Sequence, residues 1–228
     1  MVEHPLWERA AVGSNPIVPI RVLVMKRVPF IVKENFLNED ELSLVVKEST
    51  DLFQYLIDGK KTNPATLDGK ILKQNMGIHY HDYYDNAHTS SDTVKIFNRK
   101  VFEDALYNEF EVEVLRDLCY NMDWNGMMLS YYKNGDHYKP HYDGSFITGL
   151  YWFDIKPRKF TGGELYLYNG TQRDNPQHVI PFQPKNNRFI AFPSCYMHEV
   201  KPVIISDELA NKGHGRFCIS VFCGHKST

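Results

Sequence analysis

The sequence of 228 residues contains no apolar run approaching the about eighteen residues of a membrane-spanning helix, so no membrane partner is expected. Charge of one sign is not concentrated either. Lys and Arg number 26 against 28 Asp and Glu, a net charge near −2, which leaves out the global basic face of a nucleic-acid binder. The four cysteines, Cys119, Cys195, Cys218 and Cys223, make no Cys-x-x-Cys pair. Scattered among apolar residues, they read as buried thiols rather than disulfides or zinc ligands. The opening Met1-Val2-Glu3-His4-Pro5 has no basic segment leading into an apolar one, so no secretory signal is expected. Internal repeats and low-complexity tracts are missing as well. These absences point to a cytoplasmic, reduced setting and leave the oligomeric state open.

What is present is a 43% apolar chain enriched in aromatics, with fourteen Tyr and fourteen Phe, enough for a sizeable core in one domain. Residues 1–20 read as an extended arm. Arg21–Met25 and Pro29–Val32 are short strand-like runs. Asn38 followed by Glu41 has the form of a capping box and starts a helix expected to reach about Ile57 and end near Gly59. Residues 59–95 are polar and carry Tyr80, Tyr83 and Tyr84, a length that suggests a lid or binding element. Phe102, Ala105, Leu106, Phe110, Val114 and Leu118 fall at helical spacing and predict one helix over about 100–121. From Met127 the pattern switches to short strands: 127–133, 137–143, 147–153, 163–168, 177–182, 187–192, 197–204 and 215–222. Helices followed by a run of strands predict an α+β protein whose C-terminal half is a barrel or jelly roll.

The residues that carry chemistry lie in that half. In Tyr138-Lys139-Pro140-His141-Tyr142-Asp143, strand alternation puts His141 and Asp143 on one face. A distant second histidine, His198, would complete two imidazoles and one carboxylate around a metal. Such a facial set leaves adjacent positions open and is associated with non-haem Fe(II) oxygenases. His79, His81, His88, His137 and His214 read instead as ordinary polar residues, and Gly162-Gly163 as a tight strand entry. Phe189, Ile190, Phe192, Phe217 and Phe222 read as packing.

Several segments occur together in a telling order: Tyr132-Lys133-Asn134-Gly135, the His-x-Asp strand, Gly162-Gly163-Glu164-Leu165, His198-Glu199-Val200-Lys201-Pro202, and Arg216 opening the last strand. In these the chain resembles the prolyl-4-hydroxylase-like branch of the 2-oxoglutarate- and Fe(II)-dependent dioxygenases over about residues 127–224. The His-Glu-Val-x-Pro segment and the last strand look most like the hypoxia-sensing prolyl hydroxylases. The resemblance implies a double-stranded β-helix (jelly-roll, cupin-like) core with N-terminal supporting helices from about residue 20 to 126, all in a single domain over 1–228. It implies Fe(II) held by His141, Asp143 and His198, which are also the catalytic set. 2-Oxoglutarate would be held by Arg216 with Tyr132, Ser220 and Tyr138, with O2 as the second cosubstrate and ascorbate as an auxiliary. A guanidinium suits this task because its planar donor fork stays charged.

The chain departs from the family pattern at three places. Cys218 stands where many relatives have Ser and the hypoxia-sensing group has Ala. Trp152 stands where that group has a cosubstrate-contacting Tyr, and is grouped here with Tyr80 and Tyr83 as substrate-binding candidates. Ile204–Gly215 is longer than the pattern. The carboxylate at position 143, where related halogenases carry Gly or Ala, argues for hydroxylation, with succinate and CO2 released. A prolyl or other side chain of a peptide or protein is the first substrate expectation. A free amino acid or small metabolite, a nucleic acid undergoing demethylation, and a non-catalytic cupin-like binding module are the competing readings.

Overall fold

The computed structural model describes residues 28–103, 106–169 and 179–225. The arm at 1–20, the strand expected at Arg21–Met25 and Ala105 lie outside them. Strand β1 (Ile31–Glu34) leads into α1 (Glu39–Leu52), where the capping box is formed: the Asn38 side chain accepts from the Glu41 N–H and Glu41 accepts from the Asn38 N–H, each at 2.9 Å. The helix stops earlier than expected. A tight turn at Phe53–Tyr55 swings the Phe53 ring edge-on to Tyr131 at 4.9 Å, and strand β2 (Ile57–Asp58) follows.

Residues 59–95 form ordered pieces rather than one open loop. They contain β3 (Thr66–Leu67), β4 (Lys70–Ile71), β5 (Lys73–Gln74), β6 (Met76–His79), α2 (Tyr80–Tyr83), α3 (Ala87–Ser90) and the start of α4 (Asp92–Asn98). The sequence signal for the first hairpin is the Asp68-Gly69 pair, which takes positive φ at both residues (50° and 71°), as a two-residue hairpin turn demands.

The single helix expected over about 100–121 is broken. A wide turn at Arg99–Glu103 and a tight one at Leu106–Glu109 precede α5 (Glu113–Tyr120). The break shifts the apolar stripe by one residue: Leu115 and Cys119 are buried, while Val114 and Leu118 are 63% and 47% exposed. A single straight rod would diverge from the twisted sheet beneath it. Separate pieces let Val101, Leu106, Phe110 and Leu115 all reach one core.

The C-terminal strands are β7 (Trp124–Tyr132), β8 (His137–His141), β9 (Ile147–Trp152), β10 (Thr161–Gly162), β11 (Leu165–Tyr168), β12 (Val179–Phe182), β13 (Arg188–Pro193), β14 (His198–Val200) and β15 (Val203–Ile204), then a short α6 (Asp207–Asn211) and β16 (Arg216–Gly224). They close as the expected double-stranded β-helix. One antiparallel sheet runs β1-β13-β9-β16-β7-β6-β2 and the other β12-β11-β14-β8-β5. Alternation divides each central strand between two tasks. In β16, Phe217, Ile219 and Val221 pack under the helices, each burial contributing about 1.5–3 kcal/mol. Arg216, Cys218, Ser220 and Phe222 line the cavity between the sheets. In β7, Met127, Leu129 and Tyr131 take the helix side, and Met128, Ser130 and Tyr132 the cavity side.

The long segment before β16 is pinned to the sheet by one side chain. Tyr131 Oη donates to the Ala210 carbonyl at 2.5 Å and accepts from the Gly215 N–H at 2.6 Å, which leaves Arg216 opposite Tyr132 in the ladder. All four cysteines are free; Cys195, expected inside, is exposed in the turn after β13. Among the described residues no helix is long and apolar enough to cross a membrane.

Candidate metal centre and its cavity

His141 ends β8 and is paired directly with His198 at the start of β14. Asp143 stands two residues past the end of β8, so the strand expected over 137–143 stops short of it. Ligand atoms of the three side chains lie within 4.8 Å of one another. Asp143 Oδ1 is 3.6 Å from His141 Nε2, and Oδ2 is 3.3 Å from His198 Nε2. Backbone carbonyls fix the tautomers. His141 Nδ1 lies 2.8 Å from the Lys139 carbonyl and His198 Nδ1 3.1 Å from that of Tyr196. A carbonyl only accepts, so Nδ1 carries a proton on each ring and Nε2 is the nitrogen turned toward the other two side chains, where a metal would sit.

Asp143 is steadied by hydroxyls that sequence gave no reason to single out. Thr148 Oγ1 donates to Asp143 Oδ2 at 2.6 Å; because that uses its proton, it accepts from Ser194 Oγ at 2.8 Å, and Ser145 Oγ lies 2.8 Å from Ser194. Burial works against the Asp143 charge, but His198, His141 and the Thr148 hydroxyl outweigh it and hold the carboxyl well below the usual range. Burial and the neighbouring His198 push His141 down to about 3, so it is neutral and ready to ligate. For His198, burial opposes the charge but Asp143 prevails, and its pKa is raised.

Arg216 is 1% exposed, yet all three guanidinium nitrogens are without a hydrogen-bond partner. It lies 4.8 Å over the Tyr132 ring and 5.7 Å from that of Trp152. Its space is reserved: Gly163 takes φ +71°, and a Cβ there would come within 2.6 Å of Arg216 Cδ. Burial raises the Cys218 thiol, with the Arg216 charge pulling against it.

Tyr132, Tyr138, Ser220, Arg216, His141, Asp143 and His198 thus surround one inner cavity. Tyr138 has a particular place in it. Its ring stacks on His141 at 3.5 Å and its hydroxyl accepts from the Ala65 N–H, so it props the imidazole. An outer cleft of about 460 Å³ opens beside Asp143 and is rimmed by Lys61, Asn63, His79, His81, Asp82 and Trp124.

The three aromatic residues expected to meet substrate sit elsewhere. Tyr80 is 1% exposed and packs beside Ser49 and Thr93 under α1, because helix α2 turns its apolar face to the core. Tyr83 packs on the surface, tilted against Tyr55 and edge-on to Tyr84. Trp152 is buried beside Arg216 at the deep end, its indole N–H unpaired. Instead the cleft is walled by His79 and His81, read from sequence as ordinary polar residues, and by Lys73, for which the sequence carried no signal.

Residues 127–223 match the family described as the 2OG-Fe(II) oxygenase superfamily. An uncharacterized PKHD-type hydroxylase of Synechocystis sp. is 35% identical over 106 residues, covering 41% of this chain and 34% of the relative, so the chain spans about a third of that protein's length. A Trichoplax adhaerens prolyl hydroxylase, solved in complex with a hypoxia inducible factor oxygen degradation domain peptide fragment, superposes with a TM-score of 0.60 at 18% identity, over 86% of this chain and 83% of that one. A Pseudomonas putida prolyl-4-hydroxylase gives 0.59 at 13% identity, over 88% and 94%. Similarity at these identities carries the fold.

Proposed function

We propose, from the match of residues 127–223 to the family described as the 2OG-Fe(II) oxygenase superfamily, that the chain is an Fe(II)- and 2-oxoglutarate-dependent hydroxylase of an unactivated C–H bond, releasing succinate and CO2. In this reading residues 127–224 are the catalytic jelly roll and about 20–126 its support. The observation that carries it is Arg216: a buried guanidinium with three unpaired nitrogens, in the cavity that also holds a His-Asp-His set. An unpaired buried charge costs several kcal/mol, about 3–5 when a partner is removed, so it implies an anion from outside the protein.

The residues fit both groups. His141 Nε2, His198 Nε2 and Asp143 would hold the iron, and Arg216 the distal carboxylate of 2-oxoglutarate, with Ser220 on the same cavity wall as a further donor. When bound, the iron and cosubstrate supply the oxidising power that replaces a C–H bond by C–OH, with O2 as oxidant and ascorbate as an auxiliary reductant. The chain's own share is positioning. Lys139 and Tyr196 carbonyls aim the imidazoles, Thr148 holds the carboxylate, and Tyr132, Leu150 and Val200 are among the walls of the inner cavity.

For the substrate, the prolyl hydroxylase folds support a prolyl or other side chain of a peptide or protein. The cleft volume of about 460 Å³ suits a single residue-sized group and equally favours a free amino acid or small metabolite. The test is anaerobic addition of Fe(II) and 2-oxoglutarate to the metal-free protein. A weak visible charge-transfer band is expected in the wild type and not in His198→Ala. A folded wild-type protein without the band would overturn the oxygenase reading.

A further inference from the structure

We propose that the primary substrate carries a carboxylate close to the carbon it presents for hydroxylation, and that Lys73 recognises it at the inner end of the outer cleft. The inference rests on the oxygenase reading and adds the substrate's chemical class.

Lys73 arrives by register. Strand β5 pairs with the edge of β8, Lys73 opposite Tyr138, and alternation sends Gln74 outward to Asp136 while Lys73 turns inward. Its side chain is 3% exposed and borders both the outer cleft and the inner cavity. An ammonium has three donors. Here they meet one oxygen, Thr62 Oγ1 at 3.0 Å, and the Met128 thioether at 3.5 Å, and among the described residues no carboxylate pairs with it within 4.0 Å. Within the fold the charge meets only diffuse attraction, from the Tyr138 ring 5.6 Å from Nζ and from Asp143 beyond pairing distance, so no hydrogen-bonded anion offsets its desolvation.

The charge count of the loaded site points the same way. Iron contributes two positive charges and Asp143 one negative. 2-Oxoglutarate contributes two negative and Arg216 one positive. His141 and His198 are neutral as ligands. Burial raises the hydroxyls of Tyr132 and Tyr138 and the Cys218 thiol, so they carry no charge at neutral pH. The sum is zero without Lys73 and one positive charge with it. At the mouth, Lys61 and Asp82 offset each other. A single negative charge on the substrate restores neutrality, which matches a carboxylate rather than a phosphate dianion. A free amino acid, the last residue of a peptide, or an acidic side chain would each supply one.

The test uses the full chain loaded with Mn(II), which keeps the site unreactive, and saturating 2-oxoglutarate. Calorimetric titration with the twenty N-acetyl amino acids and their twenty amides separates the sources. The acids offer an α-carboxylate; among the amides only the Asp and Glu derivatives keep a carboxylate. The expected result is at least one carboxylate ligand bound about tenfold or more tighter than its neutral partner, the amide or, for a side chain, the Asn or Gln derivative. Lys73→Met should erase that preference and Lys73→Arg should keep it. Equal affinity within every pair, no binding of any carboxylate, or a preference that survives in Lys73→Met would each overturn the proposal. The survival case would place the carboxylate on the metal or Arg216. A loss of 2-oxoglutarate affinity in Lys73→Met without a carboxylate preference in the wild type would assign Lys73 to the cosubstrate, which also overturns it. Failure of the oxygenase reading itself would show separately, as no 2-oxoglutarate binding in the wild type.

Discussion

His141 and His198 stand directly opposite each other in paired antiparallel strands, and each turns Nδ1 to the carbonyl two residues before it, that of Lys139 and that of Tyr196. The two rings are oriented alike but differ in protonation. His141 is held neutral, whereas His198, 3.3 Å from the Asp143 carboxylate, has its proton stabilised.

Metal binding must therefore expel a proton from the His198–Asp143 pair. Below the raised pKa of His198, divalent metal affinity should rise about tenfold per pH unit, the slope of one proton released. Above it the dependence should flatten. Calorimetry with Mn(II) in buffers of different ionisation enthalpy reads the proton directly. A pH-independent affinity between 5.5 and 7 would show that His198 enters the complex already neutral.

Thr148→Val should weaken metal binding by about 10–100-fold, the usual cost of removing an outer partner of a ligand, with Thr148→Ser recovering most of it. The methyl-for-hydroxyl change removes the 2.6 Å bond to Asp143 and takes one acceptor from Ser194, whose hydroxyl then turns to Ser145 2.8 Å away. Ser194→Ala, one step further along the chain of hydroxyls, should cost less. Mn(II) titration followed by electron paramagnetic resonance orders the three variants.

Much of this was legible in the sequence, for physical reasons. Strand alternation, the turn residues and the spacing of His141, Asp143, His198 and Arg216 are local signals, and the jelly roll and its inner cavity follow from them. What was not legible depends on tertiary packing. The helix expected over about 100–121 is divided into separate pieces that each reach the core, which exposes Val114 and Leu118 and buries Leu115 and Cys119. Tyr80 gave the same pattern as a surface aromatic, and only α2's packing under α1 shows it to be core. Lys73 sat in a polar stretch where a lysine is unremarked; its burial follows from β5 joining the edge of β8.

Arg216→Met should show opposite effects in the two states of the site. Without cosubstrate, removing an unpaired buried charge should leave the fold as stable or more stable, since apolar replacement of buried charge is often neutral or favourable by about 1–4 kcal/mol. With 2-oxoglutarate present the order should reverse, because only the wild type gains from binding. Gly163→Ala should lose cosubstrate for a different reason, the new Cβ colliding with Arg216 Cδ at a residue of φ +71°. Thermal melts with and without 2-oxoglutarate separate these outcomes.

Lys73 makes a pH prediction whose sign can be worked out. Burial pushes its pKa down to about 8, with Asp143 pulling against that, while in the unfolded chain it titrates near 10.4. Between those values the unfolded state binds the extra proton, so stability attributable to this group rises with pH. Below about 8 the ammonium is charged in both states and its burial is fully unfavourable. The gain across the window is of the order of 3 kcal/mol at most, and it belongs to the metal-free protein. Buried tyrosines such as Tyr80 act in the opposite sense above about 10, where the unfolded chain ionises first, so absolute curves mix the two. The difference between wild type and Lys73→Met cancels them. Urea denaturation at pH 7.5 and 9.5 should therefore show the wild type gaining on Lys73→Met as the pH rises. A constant difference across that interval would mean that Lys73 titrates at its ordinary value, with water reaching the ammonium.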